Sequence, residues 1–127
     1  MHSSSPSADR ELLAAFRRRI VAGIEEDLRR EEAEADARRA QVIPAVARIV
    51  AAARAAQRCG RAWLFGSFAW GHPGERSDID LLVEDCADPD TLAADIWRAV
   101  ERPVHVIAAD RAEPSLLERA LADGRPL

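Results

Sequence analysis

The chain has 127 residues, 48% of them apolar and 31% charged, and a formal net charge of −4. That is enough for one small domain with a modest core, not for two full domains, and the acidic balance argues against a broad nucleic-acid surface. All 18 basic side chains are arginine, which excludes a phosphate-loop lysine and a Schiff-base lysine alike.

Residues 1–9 (MHSSSPSAD) are polar and read as a disordered tail, with Ser7 or Asp9 placed to cap a helix that follows. Residues 10–43 form an N-terminal helical extension. Leu12, Leu13, Phe16, Ile20, Ile24 and Leu28 recur at a spacing near four, one stripe of an amphipathic helix. Residues 29–39 are charged residues and alanine, which favour helix but offer little to bury. The stripe suits folding back, pairing with a second copy, or pairing with a partner protein. Pro44 then opens a new helix in its first turn or kinks the existing one. Val46, Ile49, Val50 and Ala53 make a second stripe, with Gly60 as the expected C-terminal cap.

Beyond Gly60 the period changes. Ala62-Trp63-Leu64-Phe65 is a short apolar run bounded by glycine and reads as a buried strand. Residues 68–77 form a turn of helix and a loop, punctuated by Gly71, Pro73 and Gly74. Ile79, Leu81, Leu82 and Val83 give a second strand. Leu92, Ile96, Trp97 and Val100 repeat at helical spacing over 89–100, with Asp88 or Asp90 at the start. Pro103 leads into a third strand, Val104-His105-Val106-Ile107-Ala108, and a last helix over 114–122 stops at Gly124. The order describes a small α/β (α+β) sheet domain over 44–127 behind a helical N-terminus. Cys59 and Cys86 have no zinc-site spacing, and no leader-like or membrane-length apolar run is present. A reducing cytoplasm with both thiols free is therefore the expected setting.

Charge is uneven: residues 61–127 hold seven arginines against thirteen acids, a balance suited to collecting divalent cations. Asp78 and Asp80 are two apart, so on a strand both carboxylates project from one face. They repel unless a cation lies between them, and Mg²⁺ is commonly held by one or two carboxylates plus substrate phosphates. Gly66, lacking a Cβ, lets a phosphate approach the backbone where the first strand turns, and Ser67 adds a hydroxyl. Together these make a triphosphate cradle beside a metal clamp.

The segments GSFAWG and SDIDLLV resemble the GSx₁₀DxD signature of the nucleotidyltransferase superfamily that includes DNA polymerase β. The similarity is greatest to its minimal branch, antitoxin partners of HEPN-type toxins, and continues through PVHVI and LLERALADGRPL. The resemblance implies a mixed sheet flanked by helices and Mg²⁺-dependent transfer of a nucleoside monophosphate, AMP from ATP, to a protein hydroxyl. Gly66 and Ser67 match the family's phosphate-contacting pair, and Asp78 and Asp80 its metal-ligand carboxylates. Its third carboxylate, on the third strand, is matched here by His105. By strand parity His105 and Ile107 share one face and Val104 and Val106 the other. An imidazole can accept a proton and bind metal but brings no negative charge, and it suits Mn²⁺ better than Mg²⁺. Trp70 stands where minimal members often carry arginine; it can stack on a base or pack against the N-terminal helix. Arg76, beside the aspartates, is the candidate to place positive charge on the triphosphate. The competing expectation is a catalytically degenerate module of the same fold that acts through protein contacts.

Overall fold

A computed structural model describes residues 6–127; of the tail expected at 1–9, residues 1–5 lie outside the described residues. From Pro6 the chain is helical, and α1 runs Pro6–Ala55. A proline in the first turn sacrifices no hydrogen bond, since that amide has no partner within the helix.

The chain divides into two compact units between Glu34 and Ala35. In the first, the helix turns its apolar residues outward. Leu12, Leu13, Phe16, Ile20, Val21, Ile24 and Leu28 are each between 47% and 69% exposed. Arg29 pairs with Glu26 and Arg30 with Asp27 one turn away, exposed pairs that contribute only tenths of a kcal/mol, about 0.2–0.5 each.

The second unit holds the core. Pro44 neither starts nor ends a helix; α1 passes through it. Val42, Ile43, Val46, Val50 and Ala53 are buried on both sides of the proline. Burying each large side chain is worth about 1.5–3 kcal/mol, which together outweighs the roughly 3 kcal/mol an interior proline costs. The helix closes with the Arg58 amide bonded to the Ala53 carbonyl and the Gln57 amide to Arg54. Gln57 takes the left-handed conformation (φ 60°) that the sequence assigned to Gly60. Gly60 instead donates its amide to the Glu84 carbonyl.

The remaining elements are β1 (Ala62–Phe65), α2 (Ser67–Trp70), β2 (Ile79–Val83), α3 (Pro89–Val100), β3 (Val104–Ala108), a 3₁₀ turn (Ala109–Arg111), α4 (Pro114–Asp123) and β4 (Arg125–Pro126). The sheet order is β3-β2-β1-β4. β1 is antiparallel to β2 and β4, and β2 is parallel to β3. This is a mixed α/β fold, as the sequence indicated, with a fourth strand added. β4 is two residues long, too short for any alternation to register, and Leu127 ties it down by donating to the Ala62 carbonyl.

Alternation sorts the strands. Ala62, Leu64, Ile79, Leu81 and Val83 pack with α1 and with Leu92 and Ile96 of α3. Trp63, Phe65 and Leu82 pack with Ala120, Leu116 and Leu117 of α4 and with Ile107. Asp88 caps α3, accepting from the Thr91 amide and hydroxyl (3.1 and 2.6 Å). Trp97, expected on the buried stripe of α3, is 56% exposed; the packed positions are Leu92, Ile96 and Val100. Gly124 closes α4 in an ordinary conformation (φ −69°). Its missing Cβ matters for space, because one would lie 2.2 Å from the Ala120 carbonyl oxygen. Cys59 and Cys86 are free thiols, and among the described residues no helix is long and apolar enough to cross a membrane.

Candidate active site

The site is assembled by register. Phe65, the last residue of β1, pairs with Asp80, and Asp80 pairs with His105. Directly paired residues share a face, so Asp80 and His105 lie on the α4 side of the sheet, at the end of β2 opposite to Val83. Asp78 precedes β2 by one residue and is exposed, whereas Asp80 is half-buried.

Gly66 joins the turn to the carboxylates. Its backbone has φ 72° and ψ −151°, a region closed to side-chain-bearing residues. A Cβ there would come within 2.5 Å of Asp80 Oδ2, so only glycine lets the turn lie against this carboxylate. The Gly66 carbonyl accepts from the Ala69 and Trp70 amides, both at 3.0 Å. The amides of Ser67 and Phe68, opening α2, have no acceptor within so short a helix.

The electrostatics centre on Asp80. Burial, and to a lesser degree the neighbouring Asp78, push its carboxyl above the ordinary range, while His105 pulls it back. His105 Nδ1 lies 4.0 Å from Asp80 Oδ1, with the histidine 70% exposed and the aspartate 25%. That is beyond a hydrogen bond and within the range of charge–charge influence. A half-buried carboxylate destabilised by a second one is a donor set that fits a divalent cation. Among the described residues no group of three or more potential ligands converges; two carboxylates would leave the remaining positions to phosphate oxygens and water, as Mg²⁺ commonly accepts.

The structure thus brings Gly66, Ser67, Asp80 and His105 together, with Asp78 beside them. Arg76 is exposed in the loop before β2 and forms no ion pair with either aspartate. His72 is exposed in the same loop.

Four arginines escaped the sequence reading. Arg39 donates to the Gly71 carbonyl, Arg38 to Pro73 (3.4 Å), and Arg102 to both Gly74 and Ser77 (3.1 and 3.2 Å). Three guanidiniums from α1 and the turn before β3 therefore hold the loop that separates Ser67 from Asp78. The loop also holds itself: the Gly74 amide donates to Ser77 Oγ at 2.7 Å, and Pro73 is fully buried. The fourth, Arg119 of α4, sits 4.2 Å over the Trp70 ring, whose centroid is 6.1 Å from that of Phe65. Trp70 therefore packs on the α4 side and positions a cation beside the Ser67 turn. No local pattern announces these arginines, because each acts across 25 or more residues of sequence.

A family model described as a nucleotidyltransferase domain matches residues 47–121. The chain is similar in structure to a candidate minimal nucleotidyltransferase, with a TM-score of 0.56 and 26% identity over 65% of this chain and 88% of that one. It is also similar to a chain in the crystal structure of a toxin–antitoxin with AMP-PNP, with a TM-score of 0.52 and 22% identity over 62% of this chain and 69% of that one. No curated protein sequence matches it significantly.

Proposed function

The chain belongs to the nucleotidyltransferase domain family, and from that premise we propose that it transfers AMP from ATP to a hydroxyl of a partner protein, as the antitoxin of a toxin–antitoxin pair with a HEPN-type toxin. The observation that carries the reading is the fit of Gly66 against Asp80, within 2.5 Å of an added Cβ. That fit sets a phosphate-binding turn directly beside a carboxylate that a cation would relieve. The similarity to a structure holding AMP-PNP and named a toxin–antitoxin supports the choice of nucleotide and partner.

Ser67 and the amides opening α2 hold the β- and γ-phosphates. Asp78 and Asp80 would hold a divalent cation, Mg²⁺ or Mn²⁺, which would offset phosphate charge and polarise the α-phosphate. His105, at the open edge of the face, takes the proton of the acceptor hydroxyl on a ring nitrogen. The acceptor oxygen bonds to the α-phosphorus, the α–β bridging bond breaks, and pyrophosphate leaves. Arg76 and Arg119 supply positive charge from the loop and from α4.

The test is incubation of the protein and a HEPN-type toxin partner with α-labelled ATP and Mg²⁺ or Mn²⁺. Label on the toxin, lost in Asp78→Ala and Asp80→Ala, is the expected result. A second reading, a degenerate module acting by protein contact alone, draws on His105 standing where the family carries a carboxylate. Tight toxin binding without label, with transfer appearing in His105→Asp, would establish that reading and sink the first.

A further inference from the structure

Asp78 is the less supported of the two aspartates. It is exposed and lies outside the strand pairing on both sides, since β2 pairs with β1 only as far as Asp80 and with β3 from Ile79 onward. For its carboxylate to project beside that of Asp80, the backbone at Asp78 must be extended, as in a strand. The two dihedrals there are set by the planes of the peptide groups on either side. Both planes are held by one short segment. The Ser77 carbonyl accepts from Arg102 Nη1 at 3.2 Å, and the Ile79 amide donates to the Pro103 carbonyl at 2.9 Å.

The Pro103 bond is main chain and extends the β2–β3 ladder, whereas the Arg102 bond depends on one side chain. α3 ends at Val100, and Glu101 takes the left-handed conformation (φ 54°) with its amide bonded to the Trp97 carbonyl at 2.8 Å. A residue with a side chain is strained there, and the turn it makes leads into Arg102 and β3. The Arg102 guanidinium carbon lies 5.3 Å from the centroid of the buried Phe68 ring, and Nη1 donates also to the Gly74 carbonyl at 3.1 Å. The Gly74 amide in turn donates to Ser77 Oγ, so the guanidinium seals a turn already closed on itself. Phe68 follows Ser67 in α2. One cation therefore lies against both the phosphate-binding turn and the loop that leads to Asp78. Arg39 grips the same loop at its far end, at the Gly71 carbonyl.

We propose that Arg102 is a positioning residue for the metal clamp: by holding the Ser77 carbonyl, it fixes the backbone on which the Asp78 carboxylate stands beside Asp80. The inference rests on the proposed nucleotidyl-transfer site and adds to it a residue that acts through Asp78.

The probe is α,β-methylene-ATP, which resists cleavage at the α–β bridge, titrated calorimetrically into the full chain with Mn²⁺ and again with EDTA. The readout is the ratio of the two affinities, in which any loss of nucleotide binding unrelated to the metal cancels. Asp78→Ala should lower this ratio, and Arg102→Met should lower it by about tenfold, the usual effect of losing a residue that orients a metal ligand. Arg102→Met added to Asp78→Ala should lower it no further, because the two act as one unit. Arg39→Ala, which frees the same loop away from Asp78, should leave the ratio at the native value. If Arg102→Met fails to fold by circular dichroism, Arg102→Gln takes its place with the same expectations. An unchanged ratio in the Arg102 variant, with Asp78→Ala effective, overturns the positioning role and leaves the clamp standing. So does a further loss in the double variant, or an equal loss in Arg39→Ala. A ratio that Asp78→Ala fails to move overturns the clamp itself, and this inference with it.

Discussion

On one side of the sheet, α1 and α3 cover Ala62, Leu64, Ile79, Leu81 and Val83 with apolar side chains alone. On the other side α4 covers Trp63, Phe65 and Leu82 and leaves Asp80 and His105 half-buried and exposed at the strand ends. The same strands serve both, because alternation sends successive residues to opposite faces. The contrast separates two tasks: one face supplies cohesion, and the other, left incompletely covered, can hold charge next to an apolar support. A slip of one residue in β2 would exchange Asp80 for Ile79 or Leu81, so the closed face also fixes the register of the open one.

That division can be broken from either side. Leu81→Ala, at a position with no exposure, should destabilise the fold by about 2–5 kcal/mol in urea unfolding. Gly66→Ala should cost on the order of 1–3 kcal/mol through its backbone conformation and should displace Asp80. Combined with Asp80→Ala the loss should be smaller than additive, since the 2.5 Å clash is gone; strict additivity would mean that the turn and the carboxylate are uncoupled.

Asp80→Asn tests the open face by sign. The folded carboxyl is held above its unfolded value, chiefly by burial. The folded state therefore binds the proton more tightly, and ionisation costs stability as pH rises from the unfolded value through the folded one. The variant should match the native protein in acid and exceed it near neutrality, while losing nucleotidyl transfer. A loss of stability at neutral pH would contradict the assignment. The smallest effect is expected from Arg119→Ala: about 0.5–1 kcal/mol, the low end for a cation over an aromatic ring, with weaker binding of ATP in titration calorimetry.

The difference between the faces also marks what could be read from the sequence. The strands were legible as short apolar runs bounded by turn residues, and parity within Val104–Ala108 encodes a face directly. That parity set His105 on the face of Ile107, and the pairing of His105 with Asp80 agrees. The closeness of Gly66 to Asp80 was an expectation of the resemblance to the GSx₁₀DxD signature. The sequence left open whether a helix restarts at Pro44 or runs through it; the choice of one continuous α1 depends on packing that only the assembled core supplies. Gln57 took a left-handed position in preference to Gly60 because the closing hydrogen bonds fall three residues earlier than the glycine. Trp97 followed a helical repeat with no partner on that side, and the arginines over the loop and over Trp70 act between segments with no shared pattern.

The grip of Arg38, Arg39 and Arg102 on the loop from Gly71 to Ser77 has a thermodynamic consequence. A spacer already tied down has little conformational entropy left to lose when a ligand arrives. A nucleotide should therefore encounter a preformed seat, with a heat-capacity change set by the surface it covers and not by the ordering of chain. Releasing one guanidinium, as in Arg102→Ala, should convert part of that binding into coupled ordering, visible as a larger unfavourable entropy at the same contact surface.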